Sequence, residues 1–291
     1  MESLKEILSP DFLLRNSVYT GVLIGFACPF AGVFLVLRRL VFMGVALPQI
    51  SSTGVAIALS IPMWIGAAQP AREHALAFAG SIVFTLAAIL ILAFMERRGR
   101  GHPEGRLGAA YVVAAALSIL LLSKNRFGEA GWLDLLKGEI ITISNADLAL
   151  TAATLGVVFV MLGLFQKELL LVSFDRAMAM TLGKRVLFWD VLLYLLIGLT
   201  VSTAVLSVGP LIAFGFLLIP ALTAHLFAKN MRQFALFASL IGGVSAFVGF
   251  WLAYQWDCPI GPTDVVLLGA IYALGFVARK LAGWVRPKPQ G

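Results

Sequence analysis

VLFWDVLLYLLIGLTVSTAVLSVGPLIAFGFLLIPALTAHLF, residues 186–227, decides the fold: one acid, Asp190, and no Lys or Arg interrupt it. A bilayer core about 30 Å thick needs about 20 apolar residues as helix. The stretch therefore reads as two crossings, 186–206 and 210–228, divided only by the hinge VLSVGP. Whether the chain crosses eight or nine times rests on that hinge. Working outward, seven further segments approach the required length, near 13–37, 44–66, 75–95, 107–123, 147–166, 233–254 and 263–283. Charged or turn-forming residues lie between them.

Composition agrees with this reading. Of the 291 residues, 60% are hydrophobic and 13% charged, and mean hydropathy is +0.95, against about 25% charge in a soluble domain. The fold class is all-α: a polytopic helical membrane protein of about nine transmembrane helices, 1–291 forming a single membrane domain without a detectable repeat. The start, MESLKEILSPDFLLRN, carries acids and lacks the basic region and small-residue cleavage site of a signal peptide, so the first apolar segment is expected to stay. Cys28 falls deep in the first helix and Cys258 at the outer surface, which argues against a disulfide.

Arg and Lys set the orientation. Putting Arg38/Arg39, the loop ERRGRGHPEGR, the stretch 167–185, Lys229/Arg232 and the tail from Arg279 on one side collects 16 of the 22 basic residues there. That side is the cytoplasm, with the N-terminus outside and the C-terminus inside. The same bias accounts for the net charge of +7 and makes the tail a stop at the lipid bilayer's inner leaflet, with no nucleic-acid partner implied.

The longest inside connection, QKELLLVSFDRAMAMTLGKRV (166–186), does not read as a loop. Asp175 is an N-cap residue, Ala and Met at 177–180 favour helix, and Gly183 with Lys184 and Arg185 forms a stop. A short capped helix at the inner surface can lie among headgroups or offer a rigid knob to a soluble partner.

FDRAMAMTLG resembles the cytoplasmic coupling helix of the ABC transporter permeases associated with zinc, manganese and iron uptake, with Phe174, Asp175, Ala179 and Gly183 on an FD-x-x-x-A-x-x-x-G pattern. The similarity continues through RRLVFMG, LLKGEIITISNADL, VGPLIAFGFLLIPALTAHLF and CPIGPTDVVLLGA, in order along nearly the whole chain. It implies a permease in the plasma (inner) membrane that pairs with a second permease copy as a homodimer, with cytoplasmic ABC ATPase subunits and, for an importer, an extracytoplasmic solute-binding protein. Independently, no G-x-x-x-x-G-K-[ST] occurs, so the chain has no phosphate-cradling loop of its own. No catalytic residue and no cofactor is expected.

In the resembling permeases an Asp and a His four residues apart follow the R-R-x-x-x-x-G stretch. Aligned on Arg38, Arg39 and Gly44, those positions hold Val45 and Gln49. No metal ligand is therefore assigned, and the expected cargo is a metal chelate or another small polar solute rather than a bare ion. Within FMGVALPQISSTGVAIAL (42–59), Pro48 removes a backbone donor and Gln49, Ser51, Ser52 and Thr53 bring polar groups into an apolar span. Two uses fit: a substrate path lined by hydrogen-bonding groups, or hydroxyls bonded to helix carbonyls as interhelical glue.

Other features are weaker. His225 sits near the inner end of its span, where a satisfied or interfacial imidazole outweighs a ligand or proton carrier; Asp190, at the inner boundary, is placed to snorkel or to pair with Arg185, and Asp264 reads as a helix N-terminal acid. Gly21, Gly25, Cys28 and Gly32 form a small-residue packing stripe. The outer stretch NRFGEAGWLDLLKGE offers Glu129, Asp134 and Glu139 to a binding protein or to solvent. Two other classes remain as alternatives to the importer subunit. An intramembrane enzyme lacks H-E-x-x-H, paired aspartates or G-x-S-x-G within the spans. A channel or secondary transporter usually carries charges at mid-membrane, and these spans hold almost none.

Overall fold

The structure is a computed structural model and describes residues 12, 14–64, 70–97, 103–123 and 143–285. The N-terminal stretch before Phe12, the centre of ERRGRGHPEGR, the outer stretch NRFGEAGWLDLLKGE and the tail beyond Val285 lie outside the described residues. Among the described residues ten helices run in order: α1 Arg15–Leu37, α2 Val41–Trp64, α3 Pro70–Arg97, α4 Pro103–Ser123, α5 Asn145–Leu164, α6 Gln166–Phe174, α7 Arg176–Thr181, α8 Val186–Phe227, α9 Met231–Trp256 and α10 Ile260–Val285. No strand occurs among the described residues. Six of the helices are long and apolar enough to cross a membrane, and α3 and α4 add shorter apolar cores at Leu76–Ile91 and Gly105–Leu121.

Helix α8 is the axis of the molecule. Its 42 residues would make a straight rod of about 63 Å, twice the thickness of the hydrocarbon core. One residue resolves the conflict: Gly209 has φ 79° and ψ 166°, a region open to glycine and strained for any other residue. The chain turns back there. At the C-terminal end of α1, Arg38 bonds Asp190 from the first arm, while Val36 and Leu37 pack into the cluster that holds Ala221 and Ala224 from the second. Both ends of α8 thus lie at one level, and the expected hinge shrinks to a single glycine followed by Pro210, which needs no backbone donor.

The two arms bury Leu193, Ile197, Ile212 and Leu217 against Ile24, Phe34 and Leu35 of α1 and Leu47 of α2 in one contiguous core. Around this axis α1 pairs with α9, α2 with α3 and α4, and α10 with the second arm of α8 and with α9. Small residues set the close approaches. A Cβ on Gly25 would lie 2.7 Å from the Gly242 carbonyl oxygen, and one on Gly32 would run into the Leu217 carbonyl. The expected stripe is therefore a packing face at Gly25, Cys28 and Gly32, although Gly21 has nothing within 4 Å. On the outside, Val83, Val112, Leu164, Val266 and Leu274 stand exposed, an apolar exterior that fits lipid as solvent.

Partners at the helix ends define two faces. Asn16 donates to Ile143 O and Asn145 Oδ1 at one face, where Phe12 also meets Phe250 and Tyr254. Arg38, Ser173, Arg176 and Asp190 meet at the other. Cys28 is buried, Cys258 is exposed, and both are free thiols.

Candidate functional site

Two groups of residues singled out by sequence lie in different places. The first is the middle of α2. The helix runs unbroken through Pro48, whose missing N–H leaves the Gly44 carbonyl without its helical donor. Gln49, Ser51, Ser52 and Thr53 are all buried. Ser51 Oγ lies 2.7 Å from Ser81 Oγ on α3. Ser202 Oγ on α8 donates to Thr85 Oγ1 at 3.1 Å, and Thr85 bonds back to Ser81 O. Thr53 Oγ1 approaches Gln49 O, Ala114 O and Ser118 Oγ at 2.9, 2.8 and 2.9 Å, tying α2 to α4. Unpaired hydroxyls cost free energy in an apolar interior, so such bonds hold helices in register.

The remaining two residues differ. Ser52 Oγ is buried without a partner, as is Thr203 Oγ1 on α8, and no hydrogen bond engages the Gln49 amide among the described residues. On α2, polar capacity not consumed by packing therefore rests with Gln49 and Ser52; Thr203 on α8, Thr20 on α1 and Ser239 on α9 also carry buried hydroxyls without a partner among the described residues. Thr203 was not legible in the sequence, because a hydroxyl in an apolar run usually bonds back to its own helix, as Thr200 does to Leu196 O. Val45, one turn before Gln49, is half-buried and brings only methyl groups. Among the described residues no three His, Cys, Asp or Glu side chains come together.

The second group forms a knob at the Arg38 end of the molecule. Asp175 is extended (φ −142°, ψ 91°) and its Oδ1 accepts from Met178 N at 2.8 Å, an N-cap. At the other end Gly183 adopts φ 70°, with Lys184 N bonded to Ala179 O and Gly183 N to Met180 O, the left-handed closure that favours glycine. Both signals read from sequence act as expected, on a helix of six residues. Ala179 is buried, while Phe174 is 69% exposed and Met178, Met180, Leu182 and Phe188 are also exposed. The connection ahead of it is not a loop either: α6 buries Leu169 and Val172.

Beneath the knob lies a charged joint. Asp190 pairs with Arg38 Nη1 at 2.7 Å and with Arg176 Nη2 at 3.4 Å, not with Arg185 as local sequence suggests. Arg38 Nε donates to Ser173 Oγ at 2.9 Å, and its guanidinium lies 5.4 Å from the centroid of the Tyr194 ring. The Arg38 side chain is 5% exposed, and its Nη2 has no partner among the described residues.

Two other residues are placed differently from their sequence reading or beside it. Asp264 is the fifth residue of α10, past the first turn; it is buried against Gly249, where a Cβ would collide with Oδ1, and that oxygen has no partner. His225 is exposed, and its ring lies tilted at 48° to Phe234 with the centroids 5.3 Å apart.

Comparison with known proteins adds lineage to this geometry. A profile described as the ABC 3 transport family matches residues 11–279. The manganese import system permease protein ScaB of Streptococcus gordonii is 27% identical over 267 residues, 91% of each chain. A probable iron transport system membrane protein of Haemophilus influenzae is 28% identical over 279 residues, 95% of this chain and 93% of that one. Among solved structures, PsaBC from Streptococcus pneumoniae in complex with Fab superposes with a TM-score of 0.80 at 24% identity, covering 94% of each chain. An inward-facing conformation of a putative metal-chelate type ABC transporter gives 0.70 at 16% identity, covering 93% of this chain and 90% of that one. These last two show the fold.

Proposed function

The chain belongs to the ABC 3 transport family, and from that premise we propose that it is the membrane-spanning permease subunit of an ATP-driven importer of the divalent metal-ion class. It works in the plasma membrane with a second copy of itself, a cytoplasmic ATPase and an extracytoplasmic solute-binding protein. The observation that carries this is the knob. A six-residue helix is too short to be stable alone, yet α7 is closed at both ends by Asp175 and Gly183 and presents Met178 and Met180 to its surroundings, beside the exposed Phe174 that ends α6. Rigid and apolar, it suits docking of a soluble subunit. Phe174, Asp175, Ala179 and Gly183 are the coupling residues: one exposed contact, one cap, one buried anchor and one stop.

The α2 residues bear on cargo. Val45 offers no ligand atom and Gln49 one neutral carbonyl oxygen, so two copies facing each other supply no charge to offset the dehydration of a divalent cation. The metal arrives with its charge satisfied, as a complex, and passes Gln49 and Ser52; Ser51 and Thr53 line the path through the helices they hold in place. A non-metal small polar solute would use the same groups. Counting both arms of α8 and the shorter helices α3 and α4, the chain crosses nine times, N-terminus outside, with the knob and Arg38 in the cytoplasm.

The test is co-purification of the full chain with its ATPase from membranes. Asp175→Lys and Gly183→Val are each expected to release the ATPase while the permease still inserts, since the first reverses the cap charge and the second puts a β-branched residue at positive φ. Retention of the ATPase by the combined variant refutes α7 as the docking site.

A further inference from the structure

Asp190 is shared. Its Oδ1 binds Arg38 at 2.7 Å and its Oδ2 binds Arg176 at 3.4 Å, and those two arginines belong to different elements. Arg176 is the first residue of α7, with a side chain 49% exposed. Arg38 caps the C-terminal end of α1, and three residues later the chain starts α2, the helix that carries Gln49. The turn between them is stiff. Arg39 takes φ 58°, and Leu40 N bonds Leu35 O at 2.9 Å, closing α1 with the same left-handed lock that closes α7.

Arg38 is also held unevenly. It donates from Nε to Ser173 and from Nη1 to Asp190, while Nη2, buried, donates to nothing among the described residues. A guanidinium is built to grip a carboxylate with two parallel N–H groups, and here Arg176 holds the second oxygen.

We propose that Arg38 is the positioning residue that passes motion of α7 to the α1–α2 corner, by a two-state grip on Asp190. In one state Asp190 is divided between Arg38 and Arg176, as seen. In the other α7 has shifted, Arg176 has let go of Oδ2, and Asp190 turns to take both donors of Arg38, pulling α1 and α2 toward the first arm of α8. The idle Nη2 is the vacancy that the second state fills. Burial makes the choice sharp, because a desolvated charge must keep a partner in either state. This rests on the reading of α7 as the docking helix.

The experiment uses the full permease–ATPase complex with Cys28→Ala, Cys258→Ser and Gln49→Cys, and reads the reaction of the introduced thiol with a membrane-impermeant maleimide with and without ATP. With Arg38 in place, ATP is expected to change the labelling rate at least tenfold. Arg38→Lys keeps the charge and one bond but cannot form the fork; it should leave ATPase binding and hydrolysis intact and abolish the ATP-dependent change. An ATP-dependent change that survives Arg38→Lys overturns the proposal. If Arg38→Lys fails to assemble, Arg176→Gln decides on the same readout: it should fix the labelling rate at one value regardless of ATP, and an unchanged response overturns the two-state grip. If the ATPase does not bind even with Arg38 and Arg176 intact, the docking reading fails first and takes this proposal with it.

Discussion

At the scale of single residues, glycine and charge carry most of the specificity. Gly32 and Gly21 belong to the same sequence stripe, yet a Cβ on Gly32 meets the Leu217 carbonyl, whereas Gly21 has nothing within 4 Å. Gly32→Ala is expected to destabilise the detergent-solubilised protein by about 1–3 kcal/mol, the usual range for overpacking. Gly21→Ala should be neutral or raise stability by up to about 1 kcal/mol through helix propensity. Thermal unfolding of both variants checks the pair, and equal effects would remove the argument. The stripe was legible in the sequence; which glycine matters was not, because its partner lies 185 positions further on. Asp190 follows the same rule. Arg185 is near in sequence, but the carboxylate finds Arg38, 152 residues away. Asp264 reads as a helix N-terminal acid only until Gly249 supplies the niche that buries it.

At the scale of elements, ends were easier to read than interiors. Asp175 and Gly183 act within their own helix, so local chemistry suffices to find α7. Helix α6 escaped the sequence reading because QKELLLVSF carries no distinctive cap or stop, and its burial of Leu169 and Val172 depends on α1 and α8. The hinge in α8 was located to VLSVGP, but its compression into one residue follows from Gly209 alone adopting φ 79° and ψ 166°. Gly209→Ala should therefore cost about 1–3 kcal/mol, the price of a non-glycine residue in that region. Gly163→Ala, in a helix with open space around the site, is the control and should not lower the melting temperature. A Gly209→Ala protein that melts with the parent would mean the reversal does not need glycine there.

At the scale of the whole molecule, the all-helical membrane fold was written in composition and apolar run length, while the polar middle of α2 was ambiguous. Sequence alone favoured path over glue for Ser51 and Thr53; their interhelical bonds account for them by packing, and Gln49 and Ser52 are the groups left over. Basic residues orient the nine proposed crossings with Arg38 and α7 inside. A cysteine placed in the 96–106 loop should react with an impermeant maleimide only from the cytoplasm, and Cys258 only from outside. The central claim is that energy from a separate ATPase enters through α7 to move a metal-bearing cargo, and one measurement meets it most directly: uptake of manganese, supplied as a soluble complex, into proteoliposomes holding this chain with its ATPase and its solute-binding protein. Uptake should require ATP and fall at least tenfold with Gly183→Val, whereas uptake that proceeds without ATP, or that Gly183→Val leaves unchanged, would rule out entry of that energy through α7.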